Sequence, residues 1–214
     1  MLMVELFRGT GSVGKVARRW GWEVISVDMD PAHGATYTVD VLRFPYKDIP
    51  VPDVVWASPP CTTYSHAANW VRHREAGTGR ALSDAAHLAD RIVRHTLKMI
   101  RYWWKRNPRL RFCIENPRGH LRNLPEMRGL ERTTTSYSFY GWPIRKPTDF
   151  WTNFPLALRT EGPGGTSTIR VGKDPGWRRA LRDALGGSEG QSQAVLLGRI
   201  PPALVRSILT QMAA

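Results

Sequence analysis

The chain has 214 residues, 42% of them hydrophobic, and a net charge of +13 from 31 Lys and Arg against 18 Asp and Glu. That length buries a real core, so one domain spanning 1–214 is expected. Two cysteines exclude a disulfide framework or a Cys-rich zinc site and point to reduced thiols and a cytosolic setting. No apolar run approaches transmembrane length, and the opening MLMVELFRGTG lacks a basic leader ahead of a long apolar stretch. A soluble, cytoplasmic protein with no membrane partner is therefore expected, and the arginine excess favours a polyanion, nucleic acid first.

The first half of the chain alternates between strand and helix signals. MLMVELF is a short apolar run, GTGSVGKVARRWG a Gly-rich turn opening a helix, and WEVISVD a second apolar run. ATYTVDV and PDVVWAS are further strand candidates. Residues 81–106 place Leu88, Ile92, Leu97, Ile100 and Trp104 at helical spacing, with Ser83 as N-cap and Pro108 as a stop, and RLRFCIEN is another strand. This pattern predicts an α/β fold with a mostly parallel sheet covered on both faces. The Thr- and aromatic-rich runs TTTSYSFYG and TDFWTNF predict an antiparallel pair, and IPPALVRSILTQM a closing helix that starts on prolines. Between these lies a Gly-, Ser- and Arg-rich stretch, expected to be a loop or small appendage over 155–195.

Several polar residues fall where apolar runs end, which in open α/β sheets is where ligands bind. ELFRGTGSVG carries Gly9, Gly11 and Gly14 at a spacing unlike a phosphate-binding loop that ends in Lys-Ser or Lys-Thr, so ATP is not expected. Roughly twenty residues further on, Asp28 ends a strand where a carboxylate can accept ribose hydroxyls, and Asp40 would face the same crevice. In SPPCTTYS, residues 58–65, Cys61 follows a stiff proline pair at a strand end; a helix dipole or a cation nearby could lower its pKa. Cys113 sits mid-strand and reads as core. In FCIENPRGH, Glu115 and Asn116 leave the strand toward the same crevice. His66, His73, His87, His95 and His120 show no metal-ligand spacing, so no metal is expected.

In this order the elements resemble the cytosine-C5 DNA methyltransferases. LFRGTGSVG is similar to their LFAGxGG turn, SVDMDP to the ribose segment and VDVLRF to the adenine segment. SPPCTTYS resembles the PPCQxFS nucleophile loop and IENPRG the ENV segment. FYGWPIRKPTDFWTN is similar to YGVPQxRxR, and RIPPALVRSI to NAVPPxLxxxI, with Arg199 where the Asn is expected.

The resemblance implies a Rossmann-like fold and S-adenosylmethionine as cofactor. Cys61 would attack C6 of the target pyrimidine and Glu115 would contact N3 and the 4-amino group. Asn116 would orient the nucleophile loop, and Arg145 would be the cation of the reduced QxRxR segment. Phe7 would pack on adenine, Gly9 and Gly11 would pass the methionine end, and Asp28, Met29, Asp40 and Val41 would hold ribose and adenine. Pro60 would line the sulfonium side. Ser65 and the basic, Gly-containing stretch 66–80, with Arg72, Arg74 and Arg80, would close over duplex DNA whose target base is flipped out.

With the usual recognition domain nearly absent, a short or relaxed sequence context is expected. So are a phage-like origin, a host-cytoplasm location if phage-encoded, and no obligate protein partner. Two alternatives remain at this point: C5 methylation of RNA or a free cytidine nucleotide, and a non-catalytic nucleic-acid-binding relative.

Overall fold

The structure is a computed structural model that describes residues 1–65, 72–162, 169, 175–187 and 193–214. Seven strands form one sheet: β1 (Leu2–Leu6), β2 (Glu23–Asp28), β3 (Tyr37–Thr38), β4 (Val54–Ala57), β5 (Arg111–Pro117), β6 (Glu131–Ser136) and β7 (Pro147–Thr152), in the order β3-β2-β1-β4-β5-β7-β6. The first five pair in parallel; β7 runs antiparallel to both β5 and β6. The fold is thus the α/β, mostly parallel architecture expected from the sequence, with an antiparallel pair in the C-terminal part.

The central strands are apolar runs because both faces of the sheet are covered. Val54, Val55, Trp56 and Ala57 of β4 are all buried, and each face has its own core. Val4, Leu6, Val55 and Ile114 pack with Val93, Leu97, Ile100 and Trp103 of α2 (Asp84–Trp104). Met3, Trp56, Cys113 and Phe150 pack with Val13 and Val16 of α1 (Ser12–Arg19) and with Leu204, Val205 and Ile208 of α5 (Pro202–Ala213). The α2 N-terminus is capped as expected, with Ser83 Oγ accepting from the Ala86 N–H at 3.2 Å, although the helix is shorter at both ends than the 81–106 expectation.

Two other expectations shift in extent. The third strand is only two residues long, because Asp40 Oδ1 accepts from the Leu42 N–H at 2.9 Å and turns the chain into a 3₁₀ turn. β6 ends at Ser136, and SYSFYG winds into a 3₁₀ turn over Tyr137–Tyr140 that closes on Gly141 at φ 78°. Within 155–195, α3 (Trp177–Ala184) and α4 (Gln193–Gly198) are described; Leu181 and Leu196 bury against Ile144 in a third, small core. Among the described residues, no helix is long and apolar enough to cross a membrane.

Candidate active site

The carboxyl ends of β1, β4 and β5 open onto a cavity of about 300 Å³. Its walls bring together Phe7, Arg8, Gly9 and Thr10 from the glycine turn, Pro59, Pro60 and Cys61 from the end of β4, Glu115 from β5, and Lys146 at the start of β7. This is the crevice the strand-end reasoning expects.

The loop after β4 that carries Cys61 is held by three sets of hydrogen bonds. Asn116 Nδ2 donates to the Pro59 carbonyl at 2.8 Å, and the Cys61 carbonyl accepts from the Tyr64 and Ser65 N–H groups at 3.0 and 2.8 Å. The Tyr64 carbonyl in turn accepts from the His120 N–H at 2.8 Å. Gly119 makes that approach feasible, since a Cβ there would lie 2.1 Å from the Tyr64 carbonyl oxygen. Ser65 bridges to Gly119, so it sits at the seam between the loops after β4 and β5.

Glu115 is buried, and its Oε1 accepts a 3.0 Å hydrogen bond from the hydroxyl of Tyr137, itself fully buried. Burial and the neighbouring Glu115 carboxylate push the Tyr137 phenol up well above its ordinary range, so it stays a neutral donor. Tyr137 was not anticipated from the sequence. The signal was available: its aromatic ring follows a Thr-rich strand as that strand leaves the sheet, and its hydroxyl then needs a buried partner.

Cys61 departs from expectation in its acidity. Burial raises its thiol pKa above the ordinary value; the charge of Lys146 pulls it down, Glu115 pushes it up, and desolvation wins. Cys113 is fully buried in the core, as read, and burial holds its thiol higher still.

The cation of this site is also not the expected one. Arg145 is exposed and lies outside the cavity walls, whereas Lys146 lines them. Lys146 Nζ donates to the Leu197 carbonyl of α4 at 2.9 Å and stands 4.6 Å from the Tyr137 ring centre. The reason is register: Lys146 immediately precedes β7, with Pro147 paired to Ser136, so it turns inward and its neighbour outward.

Of the expected cofactor residues, Phe7, Gly9 and Pro60 line the cavity, while Gly11, Asp28, Met29, Asp40 and Val41 stand outside its walls. Phe7 has φ 61°, an uncommon conformation for a bulky residue, and turns the chain sharply off β1. Asp28 shapes the turn: its Oδ2 accepts from the Gly9 N–H at 2.8 Å and its Oδ1 from the Asp30 N–H at 2.9 Å, with His33 Nδ1 at 3.0 Å. Desolvation raises the Asp28 pKa, but the Asp30 and Gly9 donors and His33 outweigh it, and the carboxyl lies below its ordinary value. Met29 is 73% exposed, on the rim beyond β2. Arg199 borders a wider cleft next to the cavity and donates to the Leu185 carbonyl.

The three arginines expected on DNA part company. Arg72 is exposed, and Arg80 is exposed but paired with Glu75 at 3.0 Å. Arg74, in contrast, is buried and cannot face a phosphate. Its Nη2 meets Asp90 Oδ1 at 2.8 Å, its Nε donates to the Thr63 carbonyl at 2.9 Å, and its guanidinium stacks on the Tyr64 ring at 4.0 Å. Arg74 is an anchor between the loop after β4 and α2. Residues 66–71 of the expected DNA-closing stretch lie outside the described residues.

A known protein matches nearly the whole chain. The probable DNA (cytosine-5)-methyltransferase of Frog virus 3 (isolate Goorha) is 30% identical over 226 aligned residues, covering 98% of this chain and 99% of that protein. The chain belongs to the DNA (cytosine-5)-methyltransferase family. No family model matches it. Two solved methyltransferases share its fold. The S. pombe Dnmt2 methyltransferase matches at 12% identity, 99% of this chain, 98% of that chain and a TM-score of 0.55. The Entamoeba histolytica methyltransferase EhMeth matches at 10% identity, 99% of this chain, 97% of that chain and a TM-score of 0.56. In this member Cys61 and Gly9 line the same crevice.

Proposed function

We propose that this chain transfers a methyl group from S-adenosylmethionine to C5 of cytosine in duplex DNA, through a covalent adduct on Cys61 and with a short or relaxed sequence context. The observation that carries this reading is the single cavity lined by Cys61, Glu115, Lys146 and the glycine turn, in a chain of net charge +13. The cofactor, when bound, supplies an electrophilic methyl group. The cavity suits it: Phe7 offers an aromatic wall, and Gly9, at φ 49°, lets the backbone pass close to a ligand.

Unactivated C5 of cytosine is a poor nucleophile, so the chain's own groups must raise its reactivity. Cys61 Sγ bonds to C6, and the displaced π electrons move through C4 to N3, where a proton from the Glu115 carboxyl group takes them up. C5 is then the carbon of an enamine and would take the methyl group as its bond to the cofactor sulfur breaks and S-adenosylhomocysteine leaves. Loss of the C5 proton to solvent, return of the N3 proton to Glu115 and departure of the Cys61 thiolate restore the C5–C6 double bond. Tyr137 fixes the Glu115 carboxyl, Asn116 fixes the loop that presents Cys61, and Lys146 is the cation close to the thiolate. The target base must leave the stack to enter this cavity, at a cost of about a few kcal/mol in duplex DNA.

Limited discrimination between sequences follows from the small size of the appendage. Base-edge reading requires a shaped element, and α3 and α4 spend their apolar residues on packing against Ile144 and Trp142. Incubation with methyl-labelled S-adenosylmethionine and, in parallel, duplex DNA, RNA and dCMP tests the assignment. Label is expected at cytosine C5 of the duplex; label only in RNA or dCMP, or nowhere, would overturn it.

A further inference from the structure

The outer face of α2 carries a row of charge that neither the cavity nor the core uses. Arg91, Arg94, Lys98, Arg101 and Lys105 recur every three or four residues, and all are exposed. At 3.6 residues per turn they fall within an arc of about 80° and form one stripe about 21 Å long. The apolar side of the same helix is already used, with Val93, Leu97, Ile100 and Trp103 buried in the core.

Nothing acidic interrupts the stripe. From Arg91 to Ile114 the sequence has no Asp or Glu. Of the acids on the helix itself, Asp84 stands in the first turn and Asp90 is buried on Arg74. Glu126 reaches across and pairs with Arg94 only. The segment docked beside α2 through Tyr46, whose ring meets Tyr102 and Trp103, adds exposed Arg43 and Lys47 against one exposed acid, Asp48. Like charges three and four residues apart destabilise a helix, where alternating signs would support it. The stripe therefore opposes the stability of its own helix, and a polyanion laid along it relieves that repulsion.

The face itself selects among polyanions. Single strands are held by bases stacked on aromatic side chains, and the stripe presents cations; the exposed Trp104 lies off it and packs on Phe112. A membrane surface needs an apolar face beside the charged one, and that face is buried here. A straight row of about 21 Å matches roughly six base pairs of duplex backbone. Direction matters too. α2 begins beside the loop after β4, where Asp90 holds Arg74, and ends at Trp104, close to the amino end of β5. The crevice lies at the carboxyl ends of the strands, so the stripe runs away from it.

We propose that the outer face of α2 is a second duplex-binding surface, which takes the phosphate backbone of DNA outside the crevice by charge alone. This goes beyond the proposed methyl transfer and does not depend on it, because backbone contacts need no target base.

Fluorescence anisotropy with a labelled duplex of A·T pairs tests this, since such a duplex offers no cytosine to the crevice. In a variant combining Lys98→Gln, Arg101→Gln and Lys105→Gln, the log–log salt slope should flatten by about 1.8–2.7, the value of two or three phosphates. A control that loses the same charge elsewhere, Arg19→Gln with Arg132→Gln and Arg206→Gln, should change the slope by less than one contact's worth. Lys98→Arg with Lys105→Arg, which keeps the charge, should hold the wild-type slope.

An unchanged slope in the stripe variant, or an equal change in the control, would overturn the proposal. So would a slope that flattens in the charge-keeping variant, which would make the lysines structural. Loss of binding to single strands or to anionic phospholipid vesicles, with the A·T duplex unaffected, would assign the face to another partner and overturn it as well. A protein that behaves as expected here but methylates no cytosine would keep this surface and lose the proposed function instead.

Discussion

The two walls of the cavity are built in opposite ways. On the wall formed by β4, β5 and the start of β7, the lining residues are tied down by the protein itself: Pro59 to Asn116, Glu115 to Tyr137, and Lys146 to Leu197. Behind them, Tyr64 and Arg74 converge on Asp90 of α2, at 2.7 and 2.8 Å. On the wall formed by the end of β1, the turn is shaped by Asp28, but Glu5 Oε2 and Arg8 Nε have no hydrogen-bond partner among the described residues. Most contacts of the first wall are made within the protein, although Asn116 Oδ1 is also buried without a partner; on the second, Glu5 and Arg8 are only partly engaged. Substitutions on the first wall should therefore act on turnover and on folding, and substitutions on the second on cofactor affinity.

The largest effect expected on the first wall is at the nucleophile. Cys61→Ser should abolish methyl transfer while cofactor affinity, read by calorimetry, stays nearly unchanged, because Sγ bonds to the base. Cys113→Ser, in the core, should keep turnover and lower stability only. A Cys61→Ser protein that turns over near the wild-type rate would remove the distinction between the walls along with the covalent step.

Next in size is the buried anchor. Arg74→Ala leaves Asp90 and the Tyr64 hydroxyl without their cation inside the protein, and breaking a buried pair this way costs about 3–5 kcal/mol. Denaturant unfolding should register that loss, with the duplex-binding salt slope unchanged. A stable Arg74→Ala protein with weakened DNA binding would return Arg74 to the surface role its sequence context suggested.

Tyr137→Phe removes one hydrogen bond to a carboxyl group, about 1.5–3 kcal/mol, and should lower kcat roughly 10- to 100-fold with cofactor affinity intact. Lys146→Met should slow alkylation of Cys61 by iodoacetamide at neutral pH. The thiol pKa is already raised by burial, and removing the neighbouring positive charge raises it further, so less thiolate is present at a given pH. Arg145→Met, at an exposed position, should leave that rate unchanged.

Much of the fold was legible because its signals are local. Apolar runs end at Leu6, Ala57 and Glu115, and those ends meet in one crevice as the strand-end rule requires, while the end at Asp28 stands beside it and holds the Gly9 N–H. What sequence alone did not convey depends on long-range pairing. Arg74 lies among His, Glu and Gly residues that read as a basic surface loop, and its burial is decided by Asp90, sixteen residues on. Arg145 and Lys146 are adjacent cations, and only the start of β7 at Pro147 settles which one turns inward. Asp40 caps its own turn, so its strand-end position was read correctly, but it stands outside the cavity walls.

The smallest effect expected is on DNA binding. Each phosphate neutralised adds about −0.9 to the log–log salt slope on duplex DNA. Arg72→Ala with Arg80→Ala should flatten that slope by less than two contacts' worth, because Arg80 is already engaged with Glu75. The loss should be equal for unrelated duplexes, since phosphate contacts carry no sequence information. A loss confined to one sequence would mean these residues read bases.

The central claim, that Cys61 carries the base during methyl transfer, is tested most directly by trapping. In duplex DNA containing 5-fluorocytosine, the C5 proton whose loss frees the enzyme is replaced by fluorine, which cannot leave as a proton does. After methyl transfer the Cys61–C6 bond should persist. Mass spectrometry should then find a protein–DNA adduct, dependent on S-adenosylmethionine, on the peptide containing Cys61 and absent from Cys61→Ser. A methylated, freely released duplex, or an adduct that survives in Cys61→Ser, would contradict the account.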